Sequence, residues 1–188
     1  MTQPICFKTP RKVAIEMLKL AEVKPDDLVY DLGAGDGEVI ITAAKEFGAK
    51  AIGIEIKKEL VSIAEKRIME EGVSHLAKVI HGDFFEINIS DATVITLYLL
   101  RKTHELLKTK FEMELKNGTR IVSHMIPIPG WEPIAIKTVY VGTNPHVIYL
   151  YVMGKSNFDI SEVKRAIRKA VANLHTDDVH TEDLAIQF

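Results

Sequence analysis

Cys6 is the one cysteine in 188 residues, which excludes an intramolecular disulfide and a zinc site built from cysteines. Positive charge is not in excess: 24 Lys and Arg face 26 Asp and Glu, a formal net charge of -2. A sequence-wide basic field for nucleic acid is therefore absent, and no sequence-specific nucleic-acid partner is expected. No apolar run approaches the roughly 20 residues that a membrane-spanning helix needs. Met-Thr-Gln-Pro-Ile-Cys at the start carries no basic segment leading into an apolar stretch, so a secretory signal is not expected and a soluble, cytoplasmic protein is. Repeats and low-complexity tracts are also missing. What is present is 47% hydrophobic and 27% charged residues, enough for an ordered domain. The length suits one domain with a small appendage.

Helical and strand patterns alternate along the chain. Thr9 reads as an N-cap with Pro10 at the first helical position, opening a helix over 10–22 whose apolar face is Val13, Ala14, Met17, Leu18 and Ala21. A strand over 28–32 runs into Gly33-Ala34-Gly35-Asp36-Gly37, and a helix follows to Gly48. Strands are predicted at 50–56, 77–80, 93–97 and 119–123, with helices up to Gly72 and over 101–116 between them. Residues 134–141 and 146–152 read as a hairpin joined by Gly142-Thr143-Asn144-Pro145. The alternation predicts an α/β fold with a parallel sheet and right-handed crossovers, closed by an antiparallel hairpin. Residues 1–154 form the main domain on this reading. Residues 155–188 add a helix striped by Ile160, Val163, Ile167, Ala170, Val171 and Leu174, then an acidic tail. His175, Asp177, Asp178 and His180 in that tail read as a solvated end and not as metal ligands, so no metal is expected.

The chemistry concentrates at strand ends. In the run 31–37 the glycines let the backbone turn sharply and approach a ligand, with a helix N-terminus behind it. The pattern is G-x-G-x-G, with Asp31 two residues before the first glycine. A dinucleotide site wants G-x-G-x-x-G and a pyrophosphate, and an aspartate there repels phosphate but suits a ligand bearing ammonium and sulfonium groups. Glu55 ends the second strand, where a carboxylate can accept two ribose hydroxyls, each charge-assisted bond worth roughly 1.5–3 kcal/mol. Asp83 ends the third strand, where it can accept an adenine amine, with Phe84 offering a packing face.

These three acids with the glycine loop resemble the class I, seven-strand, Rossmann-like methyltransferases that use S-adenosylmethionine. The resemblance implies a doubly wound seven-stranded sheet, mostly parallel with a C-terminal antiparallel hairpin strand, and the cofactor S-adenosyl-L-methionine with S-adenosyl-L-homocysteine as product. It matches Asp31, Gly33, Gly35 and Gly37 to the methionine part, Glu55 to the ribose and Asp83 to the adenine. Residues 29–56, 82–100 and 115–131 are similar to the archaeal broad-specificity protein lysine methyltransferases, which lack a SET domain. Ala34 stands where those often have cysteine. Phe7 and the Thr9-Pro10 segment match their closure of the cofactor site from the N-terminal side.

The resemblance implies a protein lysine acceptor, hence partners with exposed lysines. The apolar stripe of the C-terminal helix, opposite Lys164, Arg165, Arg168 and Lys169, reads as a face docked on the body or on a second subunit, so a monomer or a dimer through that helix. Aromatic walls suit a lysine that must lose its proton, and the candidates are Phe7, Tyr98 and Trp131, with Thr96 beside Tyr98 to orient an amine. His124 ends the fifth strand, facing either the site or a structural hydrogen bond. Amino methylation of bases usually shows Asn/Asp-Pro-Pro and an aromatic after the fourth strand; here the run is Thr96-Leu97-Tyr98-Leu99-Leu100. The alternatives are a small-molecule N- or O-methyltransferase and a non-catalytic cofactor-binding regulator.

Overall fold

The computed structural model describes residues 8–157. Four helices, Arg11–Leu20 (α1), Glu38–Phe47 (α2), Lys58–Glu70 (α3) and Arg101–Glu114 (α4), alternate with strands among these residues. The strands are Leu28–Leu32 (β1), Lys50–Glu55 (β2), Ala77–His81 (β3), Val94–Leu97 (β4), Arg120–His124 (β5), Ala135–Val141 (β6) and Asn144–Val152 (β7). They form one seven-stranded sheet in the order β3-β2-β1-β4-β5-β7-β6. The first five run parallel, and β7 lies antiparallel between β5 and β6. This is the Rossmann-like architecture expected. Phe7 and the helix expected after residue 157 lie outside the described residues.

Each face of the sheet has its own core. Val13, Met17 and Leu18 of α1, Ile40, Ile41 and Ala44 of α2 and Ile68 of α3 pack on one face against Val29, Val94 and Val122. On the other face Leu107 and Phe111 of α4 meet Ile95, Ile121, Trp131 and Tyr151. Among the described residues, the stretches 82–93 and 125–134 contain no helix. Side chains of α4 and β7 hold them down instead. Lys110 donates to the Phe85 carbonyl and pairs with Glu114, which accepts from the Ile89 amide at 2.9 Å. The buried Tyr151 hydroxyl accepts from the Ile128 amide at 3.0 Å.

Two local expectations are corrected. α1 begins at Arg11 with Pro10 as its N-cap residue, φ -62° and ψ 145°, and no side chain caps it. Thr9 spends its hydroxyl elsewhere, on His124. The hairpin turns on only two residues, Gly142 and Thr143, because Val141 already pairs with Asn144, and Gly142 takes φ 59°. Pro145 is tolerated inside β7 because it faces Tyr140 next to that first pair. Such a position makes no inter-strand bonds to its partner, and β5 pairs only from Ile148 onward.

Strand order reverses between β1 and β4, which are paired neighbours with crossovers leaving in opposite directions. A crevice opens beyond the carboxyl ends of strands at such a point. The glycine loop leaves β1 there, and Tyr98 follows β4.

Candidate active site

Gly33, Gly35 and Gly37 all take positive φ, 81°, 57° and 83°, a region that costs other residues dearly. The loop is tied to the sheet through the Ile54 carbonyl, which accepts from the amides of Gly33 and Ala34 at 2.9 and 3.0 Å. A Cβ on Gly53 would sit 2.6 Å from the Ala34 Cβ. Strand β2 therefore needs glycine for the loop to lie so close.

Asp31 is 6% exposed and lies directly across from Thr96 in the β1–β4 register. The Thr96 hydroxyl donates to Asp31 Oδ1 at 2.7 Å. Burial pushes the Asp31 carboxyl up to about 7, and the neighbouring charges of Glu55 and Asp36 add to the push, against the bond from Thr96. A desolvated acid among like charges is a seat for a cation. The Glu55 carboxylate, also buried, accepts from the Gly35 amide through Oε2 and from the Lys57 amide through Oε1, both at 2.9 Å. Each oxygen keeps a second lone pair for a hydroxyl donor. Asp83 is half-buried, and its Oδ1 accepts from the Phe85 amide at 2.8 Å. Phe84 beside it is half-buried and packs at 4.8 Å from the Phe85 ring.

A cavity opens along the loop, lined by Lys8, Thr9, Met17, Asp31, Gly33, Ala34, Gly35, Asp36, Glu38, Val39, Leu97 and Tyr98. Lys8 and Thr9 belong to the segment before α1, so that segment forms part of the wall. Lys8 pairs with Asp36 at 2.9 Å, and Arg67 of α3 donates to the Asp36 carbonyl at 2.9 Å and pairs with its carboxylate at 3.1 Å. Tyr98 packs against His124 with centroids 4.0 Å apart and the rings tilted by 44°. Burial raises the Tyr98 hydroxyl above its ordinary value, so it stays protonated at neutral pH.

The structure thus gathers Thr9, Asp31, Gly33, Ala34, Gly35 and Tyr98 around one cavity, with Gly37 opening α2 and Glu55 bonded to the loop. Two expected acceptor residues are placed differently. Thr96 is fully buried, donates its hydroxyl proton to Asp31 and does not line the cavity. Trp131 is buried in the α4-side core, 6.2 Å from the Phe111 ring and 6.3 Å from Tyr151; it anchors its loop and is absent from the cavity wall. Lys8, Arg67 and His146 were not foreseen. Lys8 lies in the segment expected to close the site, between Phe7 and Thr9, whereas Arg67 and His146 come from distant segments and nothing in their local sequence marks them.

The donor set fits S-adenosylmethionine. A buried acid sits where a positively charged methionine moiety would lie, and the glycine loop brings the backbone close to it. Further acids stand at the end of β2 and two residues beyond β3, suited to ribose and adenine. The fold and this set define a class I methyltransferase. Comparison with known proteins narrows it. Residues 31–135 match the family model of the ANTKMT methyltransferase domain. The chain is 50% identical to a protein-lysine N-methyltransferase of Saccharolobus islandicus (strain REY15A) over 148 residues, covering 78% of this chain and 92% of that protein. It is 31% identical to the adenine nucleotide translocase lysine N-methyltransferase of Mus musculus over 64% of this chain, but spans only 52% of that protein's length. Among solved structures, the Salinibacter ruber protein described as an RNA methyltransferase in complex with S-adenosyl-L-homocysteine superposes with TM-score 0.73. That match has 40% identity and covers 78% of this chain and 94% of the other. The chain belongs to the ANTKMT methyltransferase family and is an S-adenosylmethionine-dependent enzyme.

Proposed function

We propose that this chain methylates the side-chain amine of lysine in proteins. The similarity that carries the reading is half-identity to the S. islandicus protein-lysine enzyme across 92% of its length. Bound S-adenosylmethionine supplies an electrophilic methyl on a positive sulfur. Asp31 would seat the cationic end against the close-lying backbone of the glycine loop, Glu55 would take the ribose and Asp83 with Phe84 the adenine. Lys8 and Thr9 close the near side.

A lysine amine must be neutral to attack, which at pH 7 costs about 4–5 kcal/mol from an ordinary value near 10.4. Desolvation lowers that cost. Tyr98, at the cavity wall with its hydroxyl protonated, is placed to hold the amine by one hydrogen bond and to exclude water with its ring. Alignment then supplies much of the rate. Residues 1–154 serve as the catalytic domain on this reading, and substrates are proteins with exposed lysines.

The test uses radiolabelled S-adenosylmethionine and a cell extract, digested with protease or nuclease before recovery. Label lost from the precipitate on protease digestion, and found as methyllysine by mass spectrometry, is the expected result. Label lost with nuclease would replace the reading with a nucleic-acid acceptor, as in the description of the S. ruber protein, and label only in small molecules would replace it with a metabolite.

A further inference from the structure

His124 ends β5 and is wholly buried, and its ring bonds on both sides. Nδ1 lies 3.2 Å from the Thr9 hydroxyl, and Nε2 lies 2.8 Å from Nδ1 of His146. His146 stands on β7, two residues before the partner of His124 in the sheet, so strand register brings the rings together on the α1 face. The same imidazole carries the Tyr98 ring. Three pieces of the cavity's surroundings, the segment before α1, the end of β4 and the tip of the hairpin, thus meet at one side chain.

We propose that His124 and His146 are positioning residues that latch the segment before α1 over the cofactor cavity through Thr9. The inference rests on the S-adenosylmethionine site described above and is independent of the acceptor. Two neutral imidazoles facing nitrogen to nitrogen share one proton, so in either tautomer pair His124 stays bonded to both neighbours. When His146 donates, His124 Nδ1–H donates to the Thr9 oxygen; when His146 accepts, the Thr9 hydroxyl donates to Nδ1. Burial, and after it the nearby His146, hold His124 down to about 4, so it is uncharged at neutral pH. The Lys8–Asp36 pair beside Thr9 is a weaker tie, since it is largely exposed on the lysine side and such pairs are worth little in water.

The readout is the dissociation rate of radiolabelled S-adenosylmethionine from the full chain, chased with unlabelled cofactor. Thr9→Val and His146→Leu should each speed release by about three- to tenfold, the range of one hydrogen bond. The double variant should be no faster than the faster single one, since both break the same link. Thr9→Ser and His146→Asn should stay within about twofold of the parent, because a hydroxyl and a carboxamide at the imidazole's δ position restore the bonds. A latch role is overturned if Thr9→Val releases cofactor at the parent rate, if the two effects multiply, or if His146→Asn is as fast as His146→Leu. Should His146→Leu fail to fold, Thr9→Val and Thr9→Ser decide the matter alone. Failure of the parent to bind cofactor would refute the site itself and not the latch.

Discussion

Asp31 shows how one residue's chemistry depends on being buried. Its carboxyl is raised to about 7 from an unfolded value near 3.9, so between those limits the native protein holds a proton that the unfolded chain lacks. Stability of the cofactor-free protein should fall as pH climbs through that window and level off above it. Asp31→Asn, which has no charge to desolvate, should melt higher than the parent at pH 8, with the gap narrowing steadily down to about pH 4, the unfolded value; equal melting at pH 8 would refute the raised value. Cofactor binding, by placing a cation there, should release protons at pH 6–7, read by calorimetry in buffers of different ionisation enthalpy. For Glu55 the carboxylate already serves two backbone amides. Glu55→Gln, which turns one acceptor oxygen into a donor, should weaken cofactor affinity by about tenfold, and an unchanged calorimetric constant would remove Glu55 from the ribose. Tyr98→Ala should lower turnover more than cofactor affinity; equal losses would make Tyr98 a cofactor residue only.

Among the elements, β2 and the glycine loop are a matched pair. Gly53 is needed not for its own backbone but because Ala34 occupies the space a Cβ would take. Gly53→Ala should destabilise by about 1–3 kcal/mol and displace the loop, weakening cofactor binding. Adding Ala34→Gly should recover part of the stability, since the 2.6 Å contact is then gone, although Ile40 remains 3.0 Å away. Thermal melts of the single and double variants check this, and no recovery would mean that Ile40 sets the limit. The hairpin follows the same logic of neighbours. Proline at 145 suggested a longer loop from sequence, yet β7 keeps its ladder because that position bonds to neither flanking strand.

At the scale of the whole molecule, the end of the sheet opposite the site is fastened by Arg120. From β5 its guanidinium reaches the Ala21 and Glu22 carbonyls after α1 and the Asp27 carboxylate before β1. Asp27 is buried and also accepts from Thr93 at 2.7 Å and from the Lys24 amide at 2.8 Å. Burial opposes its ionisation, but Thr93, the Lys24 amide and Arg120 together outweigh it and lower its value. Arg120→Ala should therefore cost about 2–3 kcal/mol, below the range for a fully buried pair because Arg120 is partly exposed. The Asp27 contribution is present above its unfolded value and is lost as pH falls through the depressed native one. The variant's deficit in denaturant melts should accordingly shrink below pH 4, and a constant deficit would assign the loss to the two carbonyl contacts.

The strand and helix alternation, the glycine loop and the acids at positions 31, 55 and 83 were readable in the sequence, because periodicity and turn chemistry are local and short-range. Phe84 and Tyr98 could be placed at strand ends for the same reason. The partners of these residues were not readable. Thr96 and Trp131 looked like acceptor residues by type, and only packing shows one spent on Asp31 and the other filling a core. Thr9 looked like a helix cap until the fold brought His124 within hydrogen-bond reach. His124 and His146 stand 22 residues apart, and antiparallel register alone makes them neighbours. Sequence determined which chemistry is available at each strand end; tertiary structure decided which groups are already bonded to each other and which remain for a ligand.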